Sequence, residues 1–269
     1  MASKKFKAAV AALLSVSLAG VSVPAQAKSM TREGFTFPAD GQMNIVVFRP
    51  DVHVGSLKVG GMDEPNAEWT EAARVNIQQQ LQAQAGNLNA NVSFVDELEG
   101  ENAELLTEYR ALFEAVSGAV FLHVTQGDTL KTKEVSRPYE FNGKTKMRTF
   151  PTLDWTLGEG ASQLKEATGA DYAMFVFTHD AYGDAGRKAA QAVGMLGCLI
   201  GACVIVQAGV HIGYAGLVNL ETGDIVWFNT DLSMGGDPRE LDGAEKRVRQ
   251  LMEGFPERAE QAEANVAAE

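Results

Sequence analysis

His211-Ile212-Gly213-Tyr214-Ala215-Gly216-Leu217-Val218-Asn219-Leu220, then Glu221-Thr222-Gly223-Asp224, then Ile225-Val226-Trp227-Phe228-Asn229 is the stretch whose reading decides the fold. Two runs rich in β-branched and aromatic residues flank four turn-forming ones, which predicts strand, tight turn, strand. Gly223 supplies the positive φ that such a turn requires. Upstream, Tyr172-Ala173-Met174-Phe175-Val176-Phe177 is nearly continuous apolar and suits a central strand covered on both faces. A sheet covered on both faces needs helices, and the periodicity of the flanking chain supplies them.

Trp69, Ala73, Ile77 and Leu81 recur every four residues behind Pro65-Asn66, a stop followed by an N-cap, with Gly86 as the breaker. Before this helix, Asn44 to Arg49 reads as a strand closed by Pro50. A glycine-rich connection holding Gly55, Gly60 and Gly61 follows. Asn91 to Val95 reads as a second strand. Leu105, Tyr109, Leu112, Phe113, Val116 and Val120 then mark a second helix, and Phe121 to Val124 reads as a strand or a last helical turn. The acids Asp96, Glu97, Glu99, Glu101 and Glu104 lack the spacing of a calcium loop, and carboxylates at a helix start are favoured by its dipole. Asp154 is an N-cap candidate for a helix with Leu157, Ala161 and Leu164 that ends at Gly169. After Pro238, Leu241, Ala244, Val248, Leu251 and Met252 line a final helix stopped by Gly254 and Pro256. The expected class is α/β, a mixed β-sheet flanked by helices in one domain over residues 28–254.

The first 27 residues have the three parts of a secretory signal: Lys4, Lys5 and Lys7, an apolar stretch from Ala8 to Val21, and Ala25-Gln26-Ala27 as cleavage site. Export to the periplasm is expected. Residues 255–269, rich in alanine and glutamate, read as an acidic, disordered tail.

Charge is unevenly distributed. The chain carries 35 acidic and 23 basic side chains, a formal charge of −12 that excludes a surface built to neutralise nucleic-acid phosphate. The stretch from 126 to 150 runs against this, with Lys131, Lys133, Arg137, Lys144, Lys146 and Arg148 facing three acids. Within it, Tyr139-Glu140-Phe141, Asn142-Gly143 and Lys144-Thr145-Lys146 form a strong hairpin signal, because Asn-Gly readily adopts the angles of a type I′ turn. It reads as an excursion from the core and a candidate contact for a partner or an anionic surface.

Ala192 to Val206 has no polar side chain beyond cysteine and falls short of the roughly 20 residues of a membrane-spanning helix. Two readings stay open: a buried helix packed closely on the sheet through its small residues, or passing into a glycine-rich turn; or a segment inserted in or lying on a membrane, alone or in an oligomer. Cys198 and Cys203 within it are five positions apart, so a disulfide needs a turn near Gly201; the other reading is two buried thiols. Asp180 to Gly186 reads as a loop, and His179, Asp180, Asp184 and Arg187 are the densest polar group beside a strand end and a candidate site. No nucleophile elbow, metalloprotease helix or phosphate loop occurs. No catalytic residue, cofactor or metal is therefore expected.

Gly169-Ala170-Asp171-Tyr172-Ala173-Met174-Phe175, taken with Leu217 to Trp227, resembles the small α/β domain of the curli secretion channel CsgG, the N-terminal domain of TolB and the penicillin-binding-protein activator LpoB. The resemblance covers residues 154–231 and implies a fold rather than a chemistry. The chain departs from these families in lacking a lipoprotein cysteine after the cleavage site and in carrying the apolar run 192–206. The expected role is an exported, non-enzymatic accessory or scaffold protein of the bacterial cell envelope, with an envelope protein partner or a homo-oligomeric assembly. The alternatives are a membrane-associated oligomeric secretion or pore component using 192–206, and an envelope hydrolase centred on His179, Asp180 and Asp184.

Overall fold

A computed structural model describes residues 28–38, 43–86, 88, 90–126, 133–199 and 206–256. The strands are β1 (Lys28–Thr31), β2 (Asn44–Phe48), β3 (Asp51–Leu57), β4 (Asp63–Pro65), β5 (Asn91–Val95), β6 (Glu134–Phe141), β7 (Lys144–Pro151), β8 (Tyr172–Gly183), β9 (Gly209–Asn219) and β10 (Ile225–Asp231). The α-helices are α1 (Ala67–Ala85), α2 (Ala103–Gln126), α3 (Ser162–Thr168), α4 (Ala185–Leu199) and α5 (Leu241–Leu251). The fold is α/β with a mixed sheet, as expected.

Eight strands form the main sheet in the order β1-β10-β9-β8-β2-β5, with β3 and β4 continuing beyond β2 along β8. Strand β8 organises it. Its first residues pair in parallel with β2 (Ile45 opposite Tyr172), its later ones in parallel with β3 (Asp51 opposite Phe177), and its other edge runs antiparallel to β9 throughout. The predicted β9–β10 hairpin is present, and Gly223 has φ 75°.

Both faces are covered. On one, Ile45, Val47, Met174, Leu217 and Trp227 pack with Ala73, Ile77 and Leu81 of α1 and with Ala244, Val248 and Leu251 of α5. On the other, Val46, Phe48, Phe175, Val218 and Phe228 meet Leu106, Tyr109 and Phe113 of α2 and Leu164 of α3. Asn66 caps α1 by accepting from the Trp69 amide at 2.9 Å. This satisfies one of the donors that every helix start leaves open.

Several expectations are corrected. The connection after Pro50 is strand β3, because Val52 and Val54 alternate into the core while Asp51 and His53 face out. The polar segment from Asp180 to Gly183 continues β8 rather than opening a loop. Asp154 caps no helix: Thr156 bridges Asp224, and the helix proper begins only at Ser162. Of the two readings of Phe121 to Val124, the helical one holds, since it belongs to α2. The tail does not begin at Phe255, whose ring packs on Trp227 at 5.1 Å and on Phe37 at 5.9 Å. Residues 1–27 and 257–269, which hold the expected signal and the rest of the tail, lie outside the described residues.

Candidate functional site

Strands β6 and β7 form a separate two-stranded sheet around Asn142 and Gly143, whose φ values of 52° and 67° are those of the predicted turn. The register places Arg137 opposite Arg148, Tyr139 opposite Lys146 and Phe141 opposite Lys144. Residues opposite one another share a face, and side chains alternate faces along a strand. One face therefore carries Arg137, Tyr139, Phe141, Lys144, Lys146 and Arg148, while Glu134, Ser136, Glu140, Thr145 and Thr149 occupy the other. Aromatic and cationic groups interleave: the Lys146 ammonium lies 4.5 Å from the Phe141 ring centre and the Arg148 guanidinium 5.3 Å from that of Phe150. Phe141 is 49% exposed and Met147 63%. Arg137 ties the ribbon to the body through Glu33 at 2.9 Å, and Lys133 anchors its base to Asp154 at 3.3 Å. Lys131 lies outside the described residues.

The predicted polar group comes apart. Alternation along β8 sends His179 and Asp180 to opposite faces, where His179 meets Asp63 at 3.1 Å. Asp184 accepts from the Arg187 amide at 2.7 Å at the start of α4. Arg187 donates to the carbonyls of Gln207 and Lys58. Asp184 and Arg187 thus fasten a helix start to its neighbouring loops.

Asp180 instead joins a buried cluster. Its Oδ1 accepts from Arg247 Nη2 at 2.7 Å and lies 2.7 Å from His211 Nδ1; Arg247 also donates to the Gly236 carbonyl. A carboxylate on Nδ1 orients an imidazole; among the described residues no hydroxyl or thiol hydrogen-bonds to Nε2. Arg247 carried a signal in the sequence, since with Ala244, Val248 and Leu251 it falls on the apolar stripe of α5.

Beside this cluster, Asp237 takes a two-pronged contact from Arg239 (2.9 and 2.6 Å) and a bond from the Tyr182 hydroxyl at 3.1 Å. The Arg239 guanidinium lies 4.4 Å from the Trp69 ring centre and 4.2 Å from that of Tyr182. Hydrogen bonding by Arg239 holds the Asp237 carboxyl below its ordinary range. A folded-state pKa below the unfolded value means that the unfolded chain binds more protons in the interval between them. This contribution to stability is complete above about pH 4 and is lost as pH falls through the depressed folded value. Asp237→Asn is therefore expected to be less stable than the wild type at pH 7, with the gap narrowing below about pH 4 in urea titrations.

A cleft of about 310 Å³ opens at the carboxyl end of β2, where the chain breaks at Arg49-Pro50 before resuming as β3. Arg49, Arg74 and Arg110 line it with Asp51 and Glu114. Phe113, Phe175, Phe177 and Tyr214 supply the apolar wall. Arg110 is half-buried and donates to the Arg49 carbonyl at 2.7 Å. Desolvation lowers its pKa, opposed by the nearby Asp51. The three arginines come from three separate elements, so no local motif announced them.

Helix α4 contains the first half of the apolar run. Val193, Met195 and Leu196 are 68, 66 and 64% exposed, so the closely packed reading does not hold for this part. Cys198 is disulfide-bonded, while Cys203 lies outside the described residues. Among the described residues no helix is long and apolar enough to cross a membrane, and no group of three metal-ligating side chains occurs.

The sequence matches no family model and no curated protein. Solved structures similar to the chain include two PelC dodecamers from Paraburkholderia phytofirmans, one of them a point variant. Both are 9% identical with a TM-score of 0.35, covering 84% of this chain and 96% and 94% of theirs. Likeness at this level assigns neither fold nor function.

Proposed function

We propose that the protein is an exported, non-enzymatic accessory or scaffold protein of the bacterial cell envelope that holds an acidic partner protein through the β6–β7 ribbon. The observation that carries this reading is the one-sidedness of the ribbon: four cations and three aromatic rings share one face, with Phe141 about half exposed. Such a face offers both components of an interface, aromatic anchors for affinity and charges for steering and selection. The resemblance of residues 154–231 to envelope domains and the expected signal at 1–27 support the compartment.

The test uses the mature chain as bait in envelope extract, beside a variant with Arg137, Lys144, Lys146 and Arg148 changed to Glu and another with Tyr139 and Phe141 changed to Ala. Both variants are expected to lose at least about tenfold in capture of an acidic protein. Their unfolding free energies should stay within about 0.5 kcal/mol per exposed site. Wild-type capture should weaken as salt rises. Equal capture by the charge-reversed variant overturns the proposal.

The exposed apolar side chains of α4 favour a second reading, a membrane-associated oligomer with this helix lying in the interface. In the same extracts the first reading places the bait in the soluble fraction after a high-salt wash. Retention in the membrane pellet favours the second.

A further inference from the structure

We propose that the cleft at the carboxyl end of β2 binds a small organic anion, a carboxylate or phosphate group carried on a flat apolar body. The first ground is its place in the topology. The neighbouring parallel strands β5, β2 and β8 are visited in the chain order β2, β5, β8, and the connections run over opposite faces, α1 on one and α2 on the other. Strand β2 ends at Phe48 while β8 runs on to Gly183 paired with β3, so the space opens at the break between β2 and β3, against the first half of β8. The cleft lies there, beside Arg49 on β2's side and Phe175 to Phe177 on β8.

The second ground is Arg110. Its guanidinium makes one hydrogen bond, to a backbone carbonyl, and among the described residues no carboxylate lies within 4.0 Å of it. A partly desolvated cation with no direct ion pair is unfavourable, and its free N–H donors match the two oxygens of a carboxylate or phosphate. Arg74 lines the same space but is already paired with Glu71, so it adds charge rather than the main bond.

The third ground is the wall. Phe177 and Tyr214, stacked on each other at 4.8 Å with their planes 16° apart, form with Phe113 and Phe175 an apolar aromatic wall next to the cations. The volume of about 310 Å³ is at the small end of ligand sites. Arg49 is paired with Glu97 at 3.8 Å and Arg74 with Glu71, so Arg110 is the arginine of the lining left to meet an anionic head, which suits a single charged group.

Benzoate, phenyl phosphate and inorganic phosphate, titrated into the folded chain and followed by amide chemical shifts, test this. At least one aromatic probe is expected to bind, at least about tenfold more tightly than inorganic phosphate because the ring adds apolar contact with the aromatic wall. The preference between the two aromatic probes identifies the head group. Arg110→Gln should weaken binding at least about tenfold, Arg110→Lys less, and Arg74→Gln severalfold. Absence of binding by both aromatic probes at tens of millimolar, or unchanged binding in both glutamine variants, overturns the proposal. Should Arg110→Gln fail to fold, the wild-type shifts decide: perturbation centred on Arg49, Phe177 and Tyr214 upholds the site, and perturbation elsewhere overturns it.

Discussion

Arg247→Met is expected to lower the unfolding free energy by about 3–5 kcal/mol, the cost of leaving a buried carboxylate without its cation. The Arg247 and Asp180 side chains are both fully buried, joined at 2.7 Å. Among the described residues Asp180 Oδ2 has no hydrogen-bond partner, nor have Arg247 Nε and Nη1, so the pair is incompletely compensated even when intact. Removing both charges by Asp180→Leu with Arg247→Met should therefore recover most of the loss, since a well-packed apolar pair often equals a buried ion pair. Urea unfolding of the two single variants and the double variant completes the cycle. A loss below about 1 kcal/mol for Arg247→Met would show that Asp180 reaches water in solution.

Trp227→Ala is expected to cost a similar amount, about 3–5 kcal/mol, through a cavity in the core beneath β10. Trp227 is fully buried, packs edge-on against Phe255, and donates from Nε1 to Ser29 Oγ at 2.9 Å. It therefore fastens β1 and the segment after α5 to the same point. Trp227→Phe keeps most of the apolar volume and loses the bond to Ser29. It should cost well under half as much in the same measurement. Equal losses for the two variants would assign the effect to the hydrogen bond rather than to packing.

The parts of the fold that were legible in the sequence are those specified by neighbouring residues. The Glu221 to Asp224 turn, the Asn142-Gly143 turn and the four-residue spacing of Ala73, Ile77 and Leu81 each follow from local geometry. What escaped depends on distant chain. Pro50 reads as a terminator, yet the chain resumes as a strand because Val52 and Val54 find β8 and α1. Asp180 reads as loop because its partners, His211 and Arg247, are 31 and 67 positions away. A bulge between Ile225 and Trp227 puts Val226 and Trp227 in the same core cluster, which strict alternation forbids. The candidate sites divide the same way. The ribbon was legible as a basic hairpin because its residues are adjacent, and once the hairpin register is known its one-sidedness follows from period-two counting. The cleft was not, because Arg49, Arg74 and Arg110 meet only after three elements have packed.

The central position of β8 also governs the order in which the chain can fold. Its entry is tied to the start of β2 by the bond from the Asn44 amide to the Asp171 carboxylate, across 127 positions. Until that late segment exists, β2 and β3 present an open apolar edge, and α1 has only part of a sheet to cover. Closing so long a loop before any reward is gained is slow. Such an edge is also the kind that pairs with other chains. The edge that β8 covers on β2 and β3 is therefore the one whose exposure leaves the chain most open to self-association.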